Sequence, residues 1–206
     1  VRIDDRVCSD PDAEFQTAGL EFEVRGQRWP YRMPALVVMH KPSGYECSQK
    51  PKHHPSVYTL LPEPLRRRNV QAIGRLDEDT TGLLLFTDDG QLIHRWTSPK
   101  HELPKVYEVR CKHAVTTGQI TQLLLGVQLI DDPECVRAEA CAATGEDCLR
   151  LTLTQGKYHQ VKRMVAAVGN RVEALHRSAF GALELPANLL PGQWRWLSGP
   201  GDVSGA

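Results

Sequence analysis

An α+β domain around a mixed or antiparallel sheet is the fold class this sequence predicts, from three observations. Strand-like runs with period-two alternation and helix-like runs with i, i+3, i+4, i+7 spacing both occur along the chain. They follow one another irregularly, without the regular strand–helix alternation of a doubly wound sheet. At 206 residues and 41 % hydrophobic content, the chain is large and apolar enough for one real core.

Taken in order, residues 1–29 look like the end of something else. Val1-Arg2-Ile3 and Glu21 to Val24 alternate like edge strands, with a turn at Asp10-Pro11-Asp12 between them. Two such strands bury no core of their own. Trp29 to Pro34 (WPYRMP) reads as a linker, and a main domain begins near Ala35. Ala35 to His40 is a buried-strand candidate, broken by Lys41-Pro42-Ser43-Gly44. Ser56 to Leu61 suggests one helical turn ended by Pro62 and Pro64, and Leu83 to Phe86 a short buried strand.

Gln91 to Ser98 is a short helix with Leu92, Ile93 and Trp96 on one side. Val106 to Cys111 alternates, with Tyr107, Val109 and Cys111 on one face. Thr117 to Gly126 reads as a helix. Cys135 to Ala142 and Cys148 to Thr154 read as strands. Val161, Met164, Val165 and Val168 mark a helix over 158–168, stopped by Gly169-Asn170. Arg171 to Arg177 and Trp194 to Leu197 are the last strand candidates, and a loose tail is expected from Gly199.

No run approaches the roughly 18 apolar residues of a membrane span, and no signal peptide opens the chain. The chain starts at Val1 rather than a methionine, so a preceding N-terminal piece is expected. Six cysteines at 8, 47, 111, 135, 141 and 148 include no C-x-x-C pair and fit no zinc spacing. They read as reduced thiols of a cytoplasmic protein. Net charge is zero, yet residues 30–75 carry eight Lys/Arg against two Asp/Glu, and residues 150–177 six against one. A neutral total therefore does not exclude an anionic partner. The plain alternative is that runs such as Arg66-Arg67-Arg68 are solvated surface.

The most informative stretch is Gly74 to Gly90, GRLDEDTTGLLLFTDDG. It sets Arg75 and Asp77 in a loop just before a buried strand, where burial and neighbours tune a carboxylate's reactivity. Three chemistries compete for it. Asp77, Asp79, Thr81, Gly82 and Asp88 match positions one, three, five, six and twelve of a calcium loop. Against that, position twelve needs a bidentate Glu and the flanks need helices. Asp77, Asp79 and Thr81 also match a phosphatase-type D-x-D-x-T, which needs an aspartate at the end of a parallel strand. Gly74 and Arg75 interrupt any such strand.

The third chemistry comes with four motifs in order. Gly74-Arg75-Leu76-Asp77 with Asp79-Thr80-Thr81-Gly82-Leu83 resembles the catalytic loop of the pseudouridine synthases of the RsuA/Rlu group. Lys105-Val106-Tyr107 is similar to that family's K-x-Y strand. Gly156-Lys157-Tyr158-His159-Gln160-Val161-Lys162-Arg163-Met164 is similar to its basic helix motif, and Leu175-His176-Arg177 to the strand after it. His40-Lys41-Pro42-Ser43-Gly44 resembles its N-K-P-x-G, with His40 in place of the usual Asn. The resemblance spans essentially all of residues 35–198.

The resemblance implies a pseudouridine synthase fold, a mixed and largely antiparallel sheet flanked by helices and loops. It divides the chain into the end of an S4-like RNA-binding domain (1–29), a linker (30–34), a catalytic domain (35–198) and a flexible tail (199–206). It implies a monomer acting on ribosomal RNA or a ribosome-assembly intermediate, away from membranes. The reaction breaks the N–C glycosidic bond of a uridine, turns the ring and rejoins it through C5, so neither cofactor nor metal is expected. Segments 79–81, 87–91 and 158–162 look more like the family's small-subunit enzymes, which implies 16S rRNA. A 23S rRNA target, or a catalytically silent RNA-binding or ribosome-assembly protein, stays open.

By the same resemblance Asp77 is the nucleophile, and Lys162 its cationic partner, favouring the ionised carboxylate that attack requires. Tyr107 stacks on the target uracil and takes the C5 proton, and Leu175 packs under the uracil. Arg75 fills the gap left by the flipped base or binds a phosphate. Arg66, Arg67, Arg68, Lys157, Arg163 and Arg177 are phosphate-contact candidates. Without the resemblance, Tyr107 and Leu175 are ordinary core, and Lys162 and Arg75 solvated surface. Adjacent His53 and His54, with no third ligand nearby, read as a polar loop rather than a metal site.

Overall fold

A computed structural model of the chain describes residues 1–205 apart from Asp4, Pro11 and Asp131. Four short strands come first: β1 (Arg2–Ile3), β2 (Arg6–Val7), β3 (Glu21–Val24) and β4 (Gln27–Pro30). They form one antiparallel sheet in the order β2-β1-β3-β4, two strands more than the sequence suggests. The expected turn at 10–12 lies partly outside the described residues.

The main domain then runs β5 (Leu36–Lys41), a 3-10 turn (Val57–Leu60), α1 (Glu63–Arg67), β6 (Gln71–Ile73), β7 (Thr81–Thr87) and α2 (Gly90–Thr97). After these come β8 (Lys105–Cys111), α3 (Thr117–Leu125), β9 (Val127–Gln128), β10 (Cys135–Val136), β11 (Ala140–Ala143) and β12 (Cys148–Leu153). It closes with α4 (Gln160–Ala167), β13 (Val172–Phe180), β14 (Leu183–Glu184), β15 (Trp194–Trp196) and α5 (Gly201–Ser204). The central sheet runs β11-β12-β8-β13-β7-β5-β15, with β14 on β13 and β6 on β7. Only β7 and β13 pair in parallel; every other ladder of this sheet is antiparallel. The fold is α+β and mixed, as predicted.

Why Leu83 to Phe86 is apolar without alternation is now visible. The strand is central and both its faces are covered. Leu84 and Phe86 join one core, with Val37, Met39, Tyr107, Leu175 and Met164. Leu83 and Leu85 join the other, with Leu36, Val38, Leu92, Trp96 and Val203. The first core lies beneath α4 and the second beneath α2 and α5.

Several expectations need correction. Pro64 does not break the chain after 56–61; it sits in the first turn of α1, where a missing N–H costs nothing. The strand expected over 135–142 is two short pieces, β10 and β11. Residues 29–30 belong to β4 rather than to a linker. Trp29 is buried and stacks on Trp194 with centroids 6.1 Å apart, and Arg32 donates to the carbonyl of Leu197 at 2.9 Å. The tail is not loose, because α5 buries Val203 completely and Ala182 N–H donates to its carbonyl at 2.8 Å. A hydrophobic residue so near the end is anchored by a core that sequence periodicity does not reveal.

Gly82 marks a close approach of two central strands. It lies opposite Arg177 in the parallel register, with φ of +109°, and a Cβ there would stand 2.3 Å from the Arg177 carbonyl oxygen. Neither the conformation nor the space admits a side chain. Gly82→Ala is expected to cost about 3 kcal/mol by forced overpacking and strain. A lowered urea midpoint checks this, and an unchanged midpoint would show that β7 and β13 part easily.

Candidate active site

The loop of residues 74–80 leaves β6 and enters β7, carrying Asp77 over the edge of the first core. It is held from beneath by two buried cations. Arg177 is 1 % exposed; its Nε donates to Leu83 O at 2.8 Å and its NH2 to Gly74 O at 2.9 Å, so it ties the two ends of the loop together. Lys41 is fully buried, and its Nζ donates to Thr80 O at 2.8 Å, Pro42 O at 3.0 Å and Glu78 O at 3.1 Å. Burial holds the Lys41 ammonium below the ordinary lysine pKa, although the loop carboxylates pull the other way. Backbone carbonyl acceptors are what make two such buried charges tolerable.

Above the loop opens a cavity of about 820 Å³. Asp77, Tyr107, Lys162, Leu175 and Arg75 all line it. Lys162 Nζ stands 3.2 Å from Asp77 Oδ2 and 2.7 and 2.9 Å from the two oxygens of Asp79. Burial opposes the charge on Lys162, but the Asp79 hydrogen bond and the Asp77 carboxylate outweigh it and raise its pKa. Asp79 responds in kind: burial pushes its pKa up, yet Lys162 brings it below the ordinary value. The cation is thus shared between two carboxylates, of which Asp77 faces the cavity and Asp79 sits at its edge.

A residue that sequence reasoning missed completes the arrangement. His159 Nε2 lies 3.2 Å from Asp77 Oδ1. The histidine has φ of +47° at the head of α4, a left-handed conformation that a non-glycine residue rarely adopts. That turn leads the chain into α4, so that His159 and Lys162, one turn on, both reach Asp77. Helical periodicity carried no signal for it, because the residue lies outside the helix.

Lys105 was missed as well, though alternation on β8 places it on the inward face with Tyr107. It donates to Leu103 O and Thr154 O, and burial together with the Arg177 charge brings it down to about 8. On the opposite rim Glu46 accepts backbone N–H groups from His54, His53 and Lys52, which hold its carboxyl at about 2. His53 and His54 therefore belong to an ordered rim of the cavity.

Of the expected phosphate contacts, Arg177 is corrected by its burial, as described, and three more are engaged within the fold. Lys157 is pinned between Asp132 at 2.8 Å and Glu134 at 3.2 Å. Arg163 donates to the carbonyls of Tyr158 and Ile130. Arg68 pairs with Asp88 at 2.6 Å and lies over Tyr31. A basic run in sequence does not report which cations already have intramolecular acceptors. Arg66, Arg67 and Arg75 remain exposed, Arg67 while pairing with Glu63 at 2.8 Å.

The calcium and phosphatase readings of residues 77–88 fail on geometry. The segment enters a central strand rather than linking two helices, and β6 before it runs antiparallel to β7. None of the described helices is long and apolar enough to cross a membrane, and all six cysteines are free thiols.

His40 and His176 meet edge to face, 5.5 Å between centroids, beside the loop. His176 Nδ1 is 2.8 Å from Thr81 Oγ1. Burial, then the neighbouring His40, lowers the His176 pKa below the ordinary value near 6.5. The unfolded chain therefore takes up this proton first, so the neutral ring's contribution is present above the unfolded pKa and lost as pH falls below it. The urea midpoint should drop as pH is lowered through about 6.5, and His176→Gln should flatten that drop. An unchanged profile in the variant would rule His176 out.

Fold and site together set an aspartate-bearing loop against a basic helix on a mixed sheet. A family model described as RNA pseudouridylate synthase matches residues 35–167. The chain is 45 % identical over 165 residues to the ribosomal small subunit pseudouridine synthase A of Salmonella typhimurium, spanning 80 % of this chain and 71 % of that one. Identity to the Escherichia coli protein of the same name is 44 % over the same spans. A crystal structure of a pseudouridylate synthase superposes with a TM-score of 0.77 at 32 % identity, covering 96 % of this chain and 84 % of the other. The chain belongs to the RNA pseudouridylate synthase family.

Proposed function

We propose that this protein converts one uridine of ribosomal RNA, in the 16S RNA of the small subunit, to pseudouridine. The observation that carries the reading is Asp77 at the cavity wall, gripped by Lys162 and His159 and facing Tyr107 and Leu175. The 44–45 % identity to small-subunit enzymes supports the choice of 16S RNA.

In this reading the uridine is turned out of its stack into the cavity. The Asp77 carboxylate attacks as nucleophile, and Lys162 keeps it ionised and aimed. Tyr107 lies against the uracil and takes the C5 proton after the ring has turned. Leu175 closes the apolar side, and Arg75, exposed at the rim, holds the vacated stack or a phosphate. Residues 1–29 are the end of an S4-like module.

A site-resolved pseudouridine map of ribosomal RNA from cells lacking the gene tests the assignment. Loss of one 16S pseudouridine is expected; a loss confined to 23S RNA would move the target to the large subunit. Electrostatics gives a second expectation. Arg66→Ala and Arg67→Ala should each flatten the log–log salt dependence of RNA binding by about 0.7 to 0.9 per lost contact. Arg68→Ala should leave that slope nearly unchanged, because its side chain is only 21 % exposed and closed on Asp88, whereas Arg67 stays 80 % exposed while pairing with Glu63. Salt titrations with equal slopes for all three variants would reject the distinction.

A further inference from the structure

Tyr158 stands out at the mouth of the cavity. Its residue is 76 % exposed, whereas Tyr107 in the same wall is 9 % exposed. An isolated exposed aromatic is unremarkable by itself, but this ring is not free to swing. It stacks on the His159 imidazole, centroids 3.7 Å apart and planes within 22°. His159 is fixed in turn by its left-handed backbone and by the contact to Asp77. The Tyr158 carbonyl is also held, by Arg163 NH1 at 3.3 Å. One face of the phenol ring is therefore covered and the other is presented outward, in a plane set from the carboxylate itself.

We propose that the outer face of Tyr158 is a stacking platform for an unpaired nucleobase adjoining the uridine held in the cavity. The inference rests on the RNA reading above and adds a subsite to it. A strand that turns one base into a cavity leaves the neighbouring base without its stacking partner. A rigid aromatic face at the cavity mouth replaces that partner, and it does so whatever the base, because every base has a π-face. The neighbouring groups suit a base better than a phosphate. The nearby cations Lys157, Lys162 and Arg163 are each engaged with protein acceptors, leaving an aromatic rather than a charged surface. The stacked base also covers Tyr158 and His159 from solvent, so occupancy of the platform secures the His159 contact to Asp77.

The test uses a short RNA bearing the uridine identified by the ribosomal map, with 2-aminopurine in place of the base on one side or the other. Quenching of its fluorescence on binding reads stacking directly. The unaltered protein should quench the probe at one of the two positions. Tyr158→Ala should abolish the quenching and weaken binding about tenfold, the low end of what losing one base–aromatic stack costs. Tyr158→Phe should retain both. Tritium release from the same RNA is followed in parallel. Pseudouridine formation with quenching that is absent, or insensitive to Tyr158→Ala, overturns the platform alone. If cells lacking the gene retain every ribosomal RNA pseudouridine, the RNA reading falls and the platform with it.

Discussion

Asp77→Asn is expected to end pseudouridine formation while leaving RNA affinity within about tenfold. The amide keeps the shape of the side chain, and its single oxygen still accepts from Lys162, so the loop and cavity are preserved. What is lost is the nucleophile. Removing a nucleophile outright typically costs roughly 10⁴-fold or more in rate. Tritium release from 5-³H-uridine RNA measures it, and release at the unaltered rate would sink the assignment. Asp79→Asn supplies the contrast. Asp79 lies closer to Lys162 than Asp77 does, yet its side chain is 58 % exposed and does not line the cavity. That variant should keep activity within about tenfold, since an exposed, solvent-screened pair contributes little.

Lys162→Ala carries the second large effect. One ammonium here serves two carboxylates, 2.7 Å from Asp79 and 3.2 Å from Asp77. Without it, two like charges face each other at the cavity with only His159 beside Asp77. The expected result is a single-turnover rate lowered about 100-fold, the scale on which a misplaced reacting group acts, with a much smaller change in affinity. The pH window is plain from the signs. Asp79 has a lowered pKa, so its share of the pairing is present above its unfolded value and lost in acid. Lys162 has a raised pKa, so its share is present below its unfolded value and lost in strong alkali. The pairing is whole at neutral pH, where the rate is measured. If Lys162→Ala alters only the salt slope of binding and spares the rate, Lys162 is one more phosphate contact.

Both expectations began with residues legible in the chain. The order of loop, K-x-Y strand, basic helix and following strand is a property of the sequence, and the structure gathers Asp77, Tyr107, Lys162 and Leu175 around one cavity. The helix of residues 160–167 was readable, though its start was expected two residues early, because its apolar residues recur with the helical period, and Leu83 to Phe86 because both its faces are buried. Where reading failed, the missing information was non-local. Lys157 and Arg177 look alike as basic residues near one motif. One is pinned by Asp132 and Glu134 and the other is sealed under the loop by two backbone carbonyls. Trp29 and Val203 sit in segments without periodicity, and their burial depends on partners far along the chain.

The sequence by itself determined the fold class, the buried central strand and the set of chemical groups brought to the site, because period and motif order are written in neighbouring residues. Only the tertiary structure decided which cations are free, that His159 joins Lys162 on Asp77, and that Tyr158 faces outward. The contacts to the Asp77 loop join segments about 80 residues apart and the pairings of Arg68 and Lys157 join segments 20 to 25 apart, and a charge's role is set by whichever acceptor the fold brings within about 3 Å of it.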